Sequence, residues 1–489
     1  MAKKEKNLEI YAPSQGLAIS PHRGYANLRN LDIFSVPGIA KLNNILSKKS
    51  STTITAQIKW IVKNPASPAN IYAIDSNGVV YNSTDSGATW VSLSDRAGAG
   101  EGAVVWKDYL IVATTTGLDT YGPLSGTPAW SAAWQTIDTG AWHPMLTSKL
   151  DGKVYGGAGR YVFTIEENSG QNFAPGTAAT YTFTQQALDL PEDYKIKCLE
   201  ELGNNLLCGT WQGMNVYDVK EATIFPWDGT STTYGQPIII KEHGCHGLLT
   251  EGNIAYVLAG IEGIIYKTNG VSAWPVAQIP SSVCDISNTK YLEFYPGAFI
   301  NYKGRPFFGV SSQNVAGMGV WSLMETSKGT ILNHEHSIST LTDGGTNPLI
   351  IGALLGITRD TLLVGWRDNV TYGIDKTNPA SFAYGTDYSG YFESALYWVG
   401  GEITPRTFEQ LEFFLAKELA ATEGVKIDYR VNLTDSFTEI DTYTTTEMGT
   451  SQSSHEDEAA IPSCQMVQIK VSLKGTSTTT PSFRLLTLK

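Results

Sequence analysis

The groups with the most chemical potential in this 489-residue chain are two histidine clusters, His243-Gly244-Cys245-His246 and His334-Glu335-His336. Imidazole and thiolate suit zinc, but a structural zinc site needs a second half-cluster. None follows at ligand spacing, so the sequence predicts no metal and no cofactor, and turn histidines at the edges of sheets. Asp75, Asp85, Asp119 and Asp375 offer hard oxygen ligands, yet no EF-hand spacing surrounds them, so they are expected to accept from turn N–H groups. Trp130, Trp134, Trp142 and Trp227 lie in edge or loop-like stretches. There a ring could stack on a glycan or a protein partner, the competing role being to fill space between packed sheets. Five cysteines (Cys198, Cys208, Cys245, Cys284 and Cys464) are scattered without paired spacing, which predicts no disulfide framework and synthesis in a reducing cytoplasm.

The most ordered local pattern is Ser83-Thr84-Asp85-Ser86-Gly87-Ala88-Thr89-Trp90. Asp85 can accept from turn N–H groups, Gly87 permits positive φ, and Trp90 can pack beneath the hairpin. A degraded echo runs from Lys267 to Trp274. The pattern resembles the Asp-box of sialidase-like propellers, which implies a structural turn at Ser83, Asp85, Gly87 and Trp90 and no catalytic residue. A sialidase site needs clustered arginines, a Tyr/Glu nucleophile pair and an acid. Arg96, Arg160, Arg305, Arg359, Arg367 and Arg406 are few, none sits in the early-blade F-R-I-P setting of that family, and the nearest string to it, Gly304-Arg305-Pro306-Phe307, falls in the wrong blade. The chain is therefore expected not to be an enzyme.

The elements that would position these residues are strands. Apolar residues make up 42% and charged residues 17%, with 48 glycines, 24 tyrosines and 12 tryptophans, which favours short strands joined by tight turns. An apolar run, a Gly- or Asn-containing turn and a second run ending in an aromatic recur seven times. The anchors are Tyr81, Tyr121, Phe163, Tyr217, Tyr266, Trp321 and Tyr372, spaced by 40 to 55 residues. That is the period of a four-stranded propeller blade, and seven stacked copies suffice to close a ring. The prediction is an all-β chain with a seven-bladed β-propeller over residues 51–401.

Residues 1–50 stand outside the repeat, with eight Lys/Arg against three acids, and read as an extended basic assembly arm or a tail folded back on its own domain. Residues 402–489 read as a C-terminal β-sandwich. FEQLEFFLAKEL is a strand or short helix, VKIDYRVNL and MVQIKVSLKG are strands, and the polar stretch Thr442–Glu458 is a mobile loop. No apolar run is long enough to span a bilayer, and the start has no signal-peptide h-region.

Three segments carry a further resemblance: GYANLRNLDIFSVPGIAKL (Gly24 to Leu42), VKIDYR (Val425 to Arg430) with MVQIKVSL, and TPSFRLLTL near the end. Together with the layout they resemble propeller-bearing nozzle and hub-type tail proteins of tailed bacteriophages. The resemblance implies a structural subunit of the virion, in the tail or at the head–tail junction, made in the host cytoplasm and partnered by other tail subunits. It also implies a homo-oligomeric ring. The net charge of −12 argues against a broad nucleic-acid-binding surface and fits a wall that exiting DNA touches only transiently. The alternatives are a receptor- or glycan-binding propeller at the tail tip and, behind it, a glycoside hydrolase.

Overall fold

In the computed structural model, strands take up 59% of the chain and helices 2%, so the protein is all-β. The structure describes residues 7–13, 25–49, 54–96, 98–115, 117–212, 222–279, 292–312, 318–326, 329–339, 349–382, 388, 390–399, 405–448 and 453–489. Contacts divide the chain into two units: 1–46 with 319–337 and 377–489, and 47–318 with 338–376.

Among the described residues the second unit contains five four-stranded antiparallel sheets, each formed by four strands consecutive in the chain. The first sheet shows the scheme, with strands Ile58–Lys63, Ile71–Asp75, Val79–Ser83 and Val91–Asp95. Four more begin at Gly102–Trp106, Met145–Thr147, Lys195–Leu202 and Cys245–Glu251. Further strands follow at Phe299–Tyr302, Arg305–Ser312, Leu349–Thr358, Thr361–Asp368 and Thr371–Thr377. The aromatic-anchored repeat of the sequence corresponds to the second and third strands of each set. The apolar half is buried on both faces, as in Ile71–Asp75 and Val154–Ala158, whose every residue is buried. Tyr217 lies outside the described residues, and Trp321, in Gly319–Thr326, falls in the other unit.

The strands that precede the apolar runs contact one another. Ile58–Lys63, Gly102–Trp106, Met145–Thr147, Lys195–Leu202, Cys245–Glu251, Phe299–Tyr302 and Leu349–Thr358 touch one another in that order, and the last touches the first. Backbone in and just before these strands approaches so closely that side chains are excluded at some positions. A β-carbon on Gly102 would lie 1.7 Å from the His143 carbonyl oxygen, and one on Gly352 would lie 2.0 Å from that of Ile58. A strand from the chain's start, Leu46–Lys48, adds to the outer side of Thr371–Thr377, and the Lys49 N–H donates to the Ile374 carbonyl at 2.9 Å.

The first unit is built from both chain ends. One sheet runs Leu31–Asp32, Ala40–Leu42, Ser482–Leu488, Arg406–Leu415, Ser454–Cys464, and Leu8–Tyr11 also pairs with Ser482–Leu488. The other runs Thr438–Thr444, Gly424–Arg430, Met466–Lys474, Gly390–Ser394, Tyr25–Arg29, Gly329–His336, Gly319–Thr326. Leu411, Phe413, Phe483 and Leu486 of the first sheet share one buried cluster with Phe392, Val425, Ile427 and Val471 of the second. The described part of the basic N-terminal segment is thus spent on its own chain. FEQLEFFLAKEL contributes a strand. The stretch expected as a mobile loop instead supplies strands Thr438–Thr444 and Ser454–Cys464 around the short helix Thr445–Met448. Ser454–Cys464 is an edge strand, polar on its outward face and burying Ala459 and Ile461 on the other, which is why its composition mimics a loop.

Gly102→Ala should therefore lower unfolding stability by about 3 kcal/mol through overpacking. Gly126→Ala, whose nearest neighbour would be 3.4 Å away, should change it by less than about 0.5 kcal/mol. Equal denaturant midpoints for the two variants would contradict the close approach.

Candidate functional site

Ladder register singles out a set of residues that composition does not. Ile58 pairs with Asp75 and Trp60 with Ile74, leaving Lys59 as an extra residue. Lys197 is extra in the same way between Ile196 and Cys198, and His246 between Cys245 and Gly247. Each sits near the start of a first strand. A bulge interrupts the ladder and re-aims the extra side chain, a device that recurs beside functional sites.

The three re-aimed groups share partners. Lys197 Nζ lies 2.7 Å from His246 Nδ1, and both are buried. Lys59 Nζ is 4.7 Å and Lys197 Nζ 4.9 Å from the centroid of the Trp142 ring, so two ammonium groups contact one indole. Lys197 also faces the rings of Trp211 and Tyr295, at 5.7 and 5.9 Å, and Tyr295 packs on Trp142 at 5.7 Å. Trp142, Trp211 and Tyr295 remain half-buried, giving the cluster an aromatic rim. Two acids complete it. Glu101 accepts from Lys59 Nζ at 2.9 Å, and Glu293 from the Tyr295 hydroxyl at 2.6 Å.

The electrostatics follow from this burial. Desolvation pulls Lys197 down to about 8, helped by the charge of Lys59 and opposed by Glu293. Burial, together with the Lys197 charge, pushes His246 well below its ordinary value. A neutral His246 accepts from Lys197 at Nδ1, which leaves the ring proton on Nε2. Burial raises Glu101, and the Lys59 ammonium pulls it part of the way back. The arrangement can donate hydrogen bonds from an amine held close to neutrality and can stack flat apolar faces on indole and phenol rings.

Only Trp142 of the four candidate tryptophans belongs to this cluster. Trp130 lies in Ala129–Thr136, half-buried, with the Arg96 guanidinium 4.5 Å above its ring. Trp134 packs at 4.9 Å on Tyr181. Trp227 is 2% exposed and donates from Nε1 to the Ser231 carbonyl, so it packs rather than presents a surface. Lys59, Lys197, Trp211, Tyr295, Glu101 and Glu293 were not legible as site residues, since a bulge has no local sequence signature. His246, expected in a turn, is in a strand. Among the described residues no group of three or more His, Cys, Asp or Glu is placed to hold a metal.

The Ser83–Trp90 segment forms a tightly bonded turn. Asp85 Oδ1 accepts from the N–H groups of Ala88 and Thr89 at 2.9 and 2.8 Å and from the Ser83 hydroxyl at 2.8 Å, while Oδ2 accepts from the Thr89 hydroxyl at 2.6 Å. Gly87 has φ +77°, and Trp90 is 1% exposed. Burial works against ionisation of Asp85, but these bonds outweigh it and hold the carboxyl at about 2. In the later echo Asn269 takes the acceptor role toward Val271 and Ser272, and Trp274 stays 38% exposed. Asp75 likewise accepts from the N–H groups of Asn77 and Val79, Asp119 pairs with Arg96, and Asp375 accepts from Ser339.

No family model and no curated protein matches the chain. Solved structures with a similar fold include the extracellular domain of the putative hybrid two-component system BT4673 from B. thetaiotaomicron, at 13% identity and TM-score 0.47. That match covers 77% of this chain and 44% of the other, so the chain spans under half of that protein. The β-propeller domain of Cps50 (Swd1) from Myceliophteria_thermophila matches at 10% identity and TM-score 0.43, covering 66% and 98% of the two chains. YCF48 bound to D1 peptide matches at 8% and 0.43, covering 72% and 99%. The second unit repeats a four-stranded antiparallel sheet, the sheet form from which propeller blades are built.

Two pH measurements follow. A carboxyl lowered in the fold stabilises fully above its unfolded value near 4 and loses that contribution toward pH 2. Asp85→Ala should therefore melt below wild type at pH 7, with the gap closing between about pH 4 and 2. Lys197 has the opposite sense, because its ammonium is disfavoured in the fold. That penalty is complete below pH 8 and fades as pH rises toward the unfolded value near 10.4. Wild type should gain on Lys197→Met by up to about 3 kcal/mol across that window. A constant difference would show that Lys197 titrates normally.

Proposed function

We propose that the chain is a structural subunit of a tailed-phage virion, in the tail or at the head–tail junction, acting through protein–protein assembly. Its second unit is a seven-bladed β-propeller and its first a β-sandwich. The seven first strands in cyclic contact support the blade count, and the two sheets sharing one buried cluster support the sandwich.

The observation that carries the assembly reading is the set of large apolar side chains left in solvent. Val91, Val271 and Val370 are 63 to 75% exposed in the propeller-type unit, and Trp398 and Leu433 are 72% and 58% exposed in the other. Val91 and the partly exposed Trp274 lie on fourth strands, and Ile239, 57% exposed, is on another, Ile238–Ile240. Fourth strands end their sheets, and open edges bearing apolar groups invite pairing unless a neighbour covers them. Neighbouring subunits of a tail ring would provide that cover, and the net charge of −12 keeps the free subunit soluble.

A second reading, a receptor- or glycan-binding propeller at the tail tip, is favoured by one feature. The Trp142, Trp211 and Tyr295 rims around Lys197 join flat apolar faces to an amine donor, the pairing a sugar ring with polar substituents requires.

Electron microscopy of the purified protein and of particles from a lysate discriminates the two. Rings, or a fixed place on a tail, are expected for the structural subunit, with Trp398→Asp weakening assembly while leaving the melting temperature within a few degrees. A monomer absent from every particle sinks that reading. Attachment lost in Trp142→Ala particles of normal appearance establishes the second.

A further inference from the structure

The chain neighbours of Lys197 and His246 face away from the aromatic cluster and meet each other. Cys198 Sγ lies 3.5 Å from Cys245 Sγ, although 47 residues separate them in the chain. Cys198 belongs to the first strand of the fourth sheet and Cys245 to that of the fifth, so the contact crosses the seam between two sheets. Both thiols are buried, at 3% and 0% exposure. Gly209, paired with Cys198 in register, makes the contact possible. A β-carbon there would lie 2.4 Å from Cys198 Sγ and 2.6 Å from Cys245 Sγ, so the two sulfurs occupy the space a side chain would take. Cys208, one strand further out, belongs to a different buried cluster.

We propose that Cys198 and Cys245 are a modification site: a dithiol that a two-electron oxidant closes into a disulfide joining the fourth and fifth sheets. The sulfurs must approach by about 1.5 Å to reach the bonded distance of about 2.05 Å. With hydrogen peroxide, one thiolate attacks an oxygen, the O–O bond breaks, and a sulfenic acid and water form. The second thiol then attacks that sulfur, the S–S bond forms, and a second water leaves, so two thiols and one peroxide give one disulfide and two waters. Burial first, and the neighbouring thiol second, hold Cys198 well above its ordinary value, so the thiolate forms during local opening and closure takes minutes to hours. The product would fix the two adjacent bulges that aim Lys197 and His246 and would constrain the unfolded chain over the intervening loop.

The test is peptide mapping of the native full chain after hydrogen peroxide, with denaturation in N-ethylmaleimide and digestion without reductant. The expected result is one linked pair of peptides carrying Cys198 and Cys245, two hydrogens lighter than the reduced pair and separated by dithiothreitol. Cys208 and Cys464 should be alkylated throughout. Oxidised wild type should melt several degrees higher than reduced, and Cys245→Ala, conservative in size, should show no such shift. Full alkylation of both cysteines after hours of oxidation overturns the proposal. So does a disulfide that forms only in urea, or one that links Cys198 to a different cysteine.

Discussion

In the second unit, backbone carbonyl oxygens lie where a β-carbon would be: that of His143, just before Met145–Thr147, against Gly102, and that of Ile58 against Gly352. This backbone-to-backbone approach sets the geometry of what surrounds it. The ladder stays regular through Gly102, but register slips by one residue at Lys59, Lys197, His246 and Gly352. Where the slipped residue is glycine, the backbone fills the gap; where it carries a side chain, that side chain is turned out of the pleat. Three of these slips aim the side chains of the candidate site.

The same constraint explains the division of labour within a sheet. With the first strands in contact with one another, the second strand buries apolar groups on both faces, as Ile71–Asp75 and Val154–Ala158 do. Even the acid in the first of these is useful, since Asp75 closes the turn that follows it by accepting from Asn77 and Val79. The fourth strands carry the exposure. Ala129–Thr136 has no buried residue, and its tryptophans are partly covered by Arg96 and Tyr181. In the other unit the buried cluster depends on both chain ends, because Leu8–Tyr11 and Arg406–Leu415 flank the same C-terminal strand.

The sequence is most legible where one strand repeats one pattern. Apolar runs closed by Tyr81, Tyr121, Phe163 and Tyr266 mark second and third strands because burial on both faces forces an unbroken apolar string. The Ser83–Trp90 turn is equally legible, since each bond within it is local in sequence. Ile58–Lys63 escapes detection because its half-buried residues alternate irregularly around the bulge at Lys59. Edge strand Ser454–Cys464 escapes because one face is polar. The candidate site is the least legible part. Lys59, Trp142, Lys197, His246 and Tyr295 are brought together only by closing the order of sheets, and nothing local marks them as neighbours.

Lys197 is a costly member of that group, because burial disfavours its ammonium. A buried ammonium is normally matched by a carboxylate, yet its hydrogen bond here goes to an uncharged imidazole. Methionine would fill similar space beside Trp142 and Trp211 without that desolvation penalty. The nearby acids do not remove the cost, because Glu101 is engaged by Lys59 and Glu293 by the Tyr295 hydroxyl. Cation–π contacts recover part of it, of order 1–2 kcal/mol for a desolvated pair. Sharing one indole with Lys59 also sets two like charges on the same ring. The outcome is an ammonium inside an aromatic rim that loses its proton near pH 8 and is held by an uncharged imidazole rather than by a carboxylate.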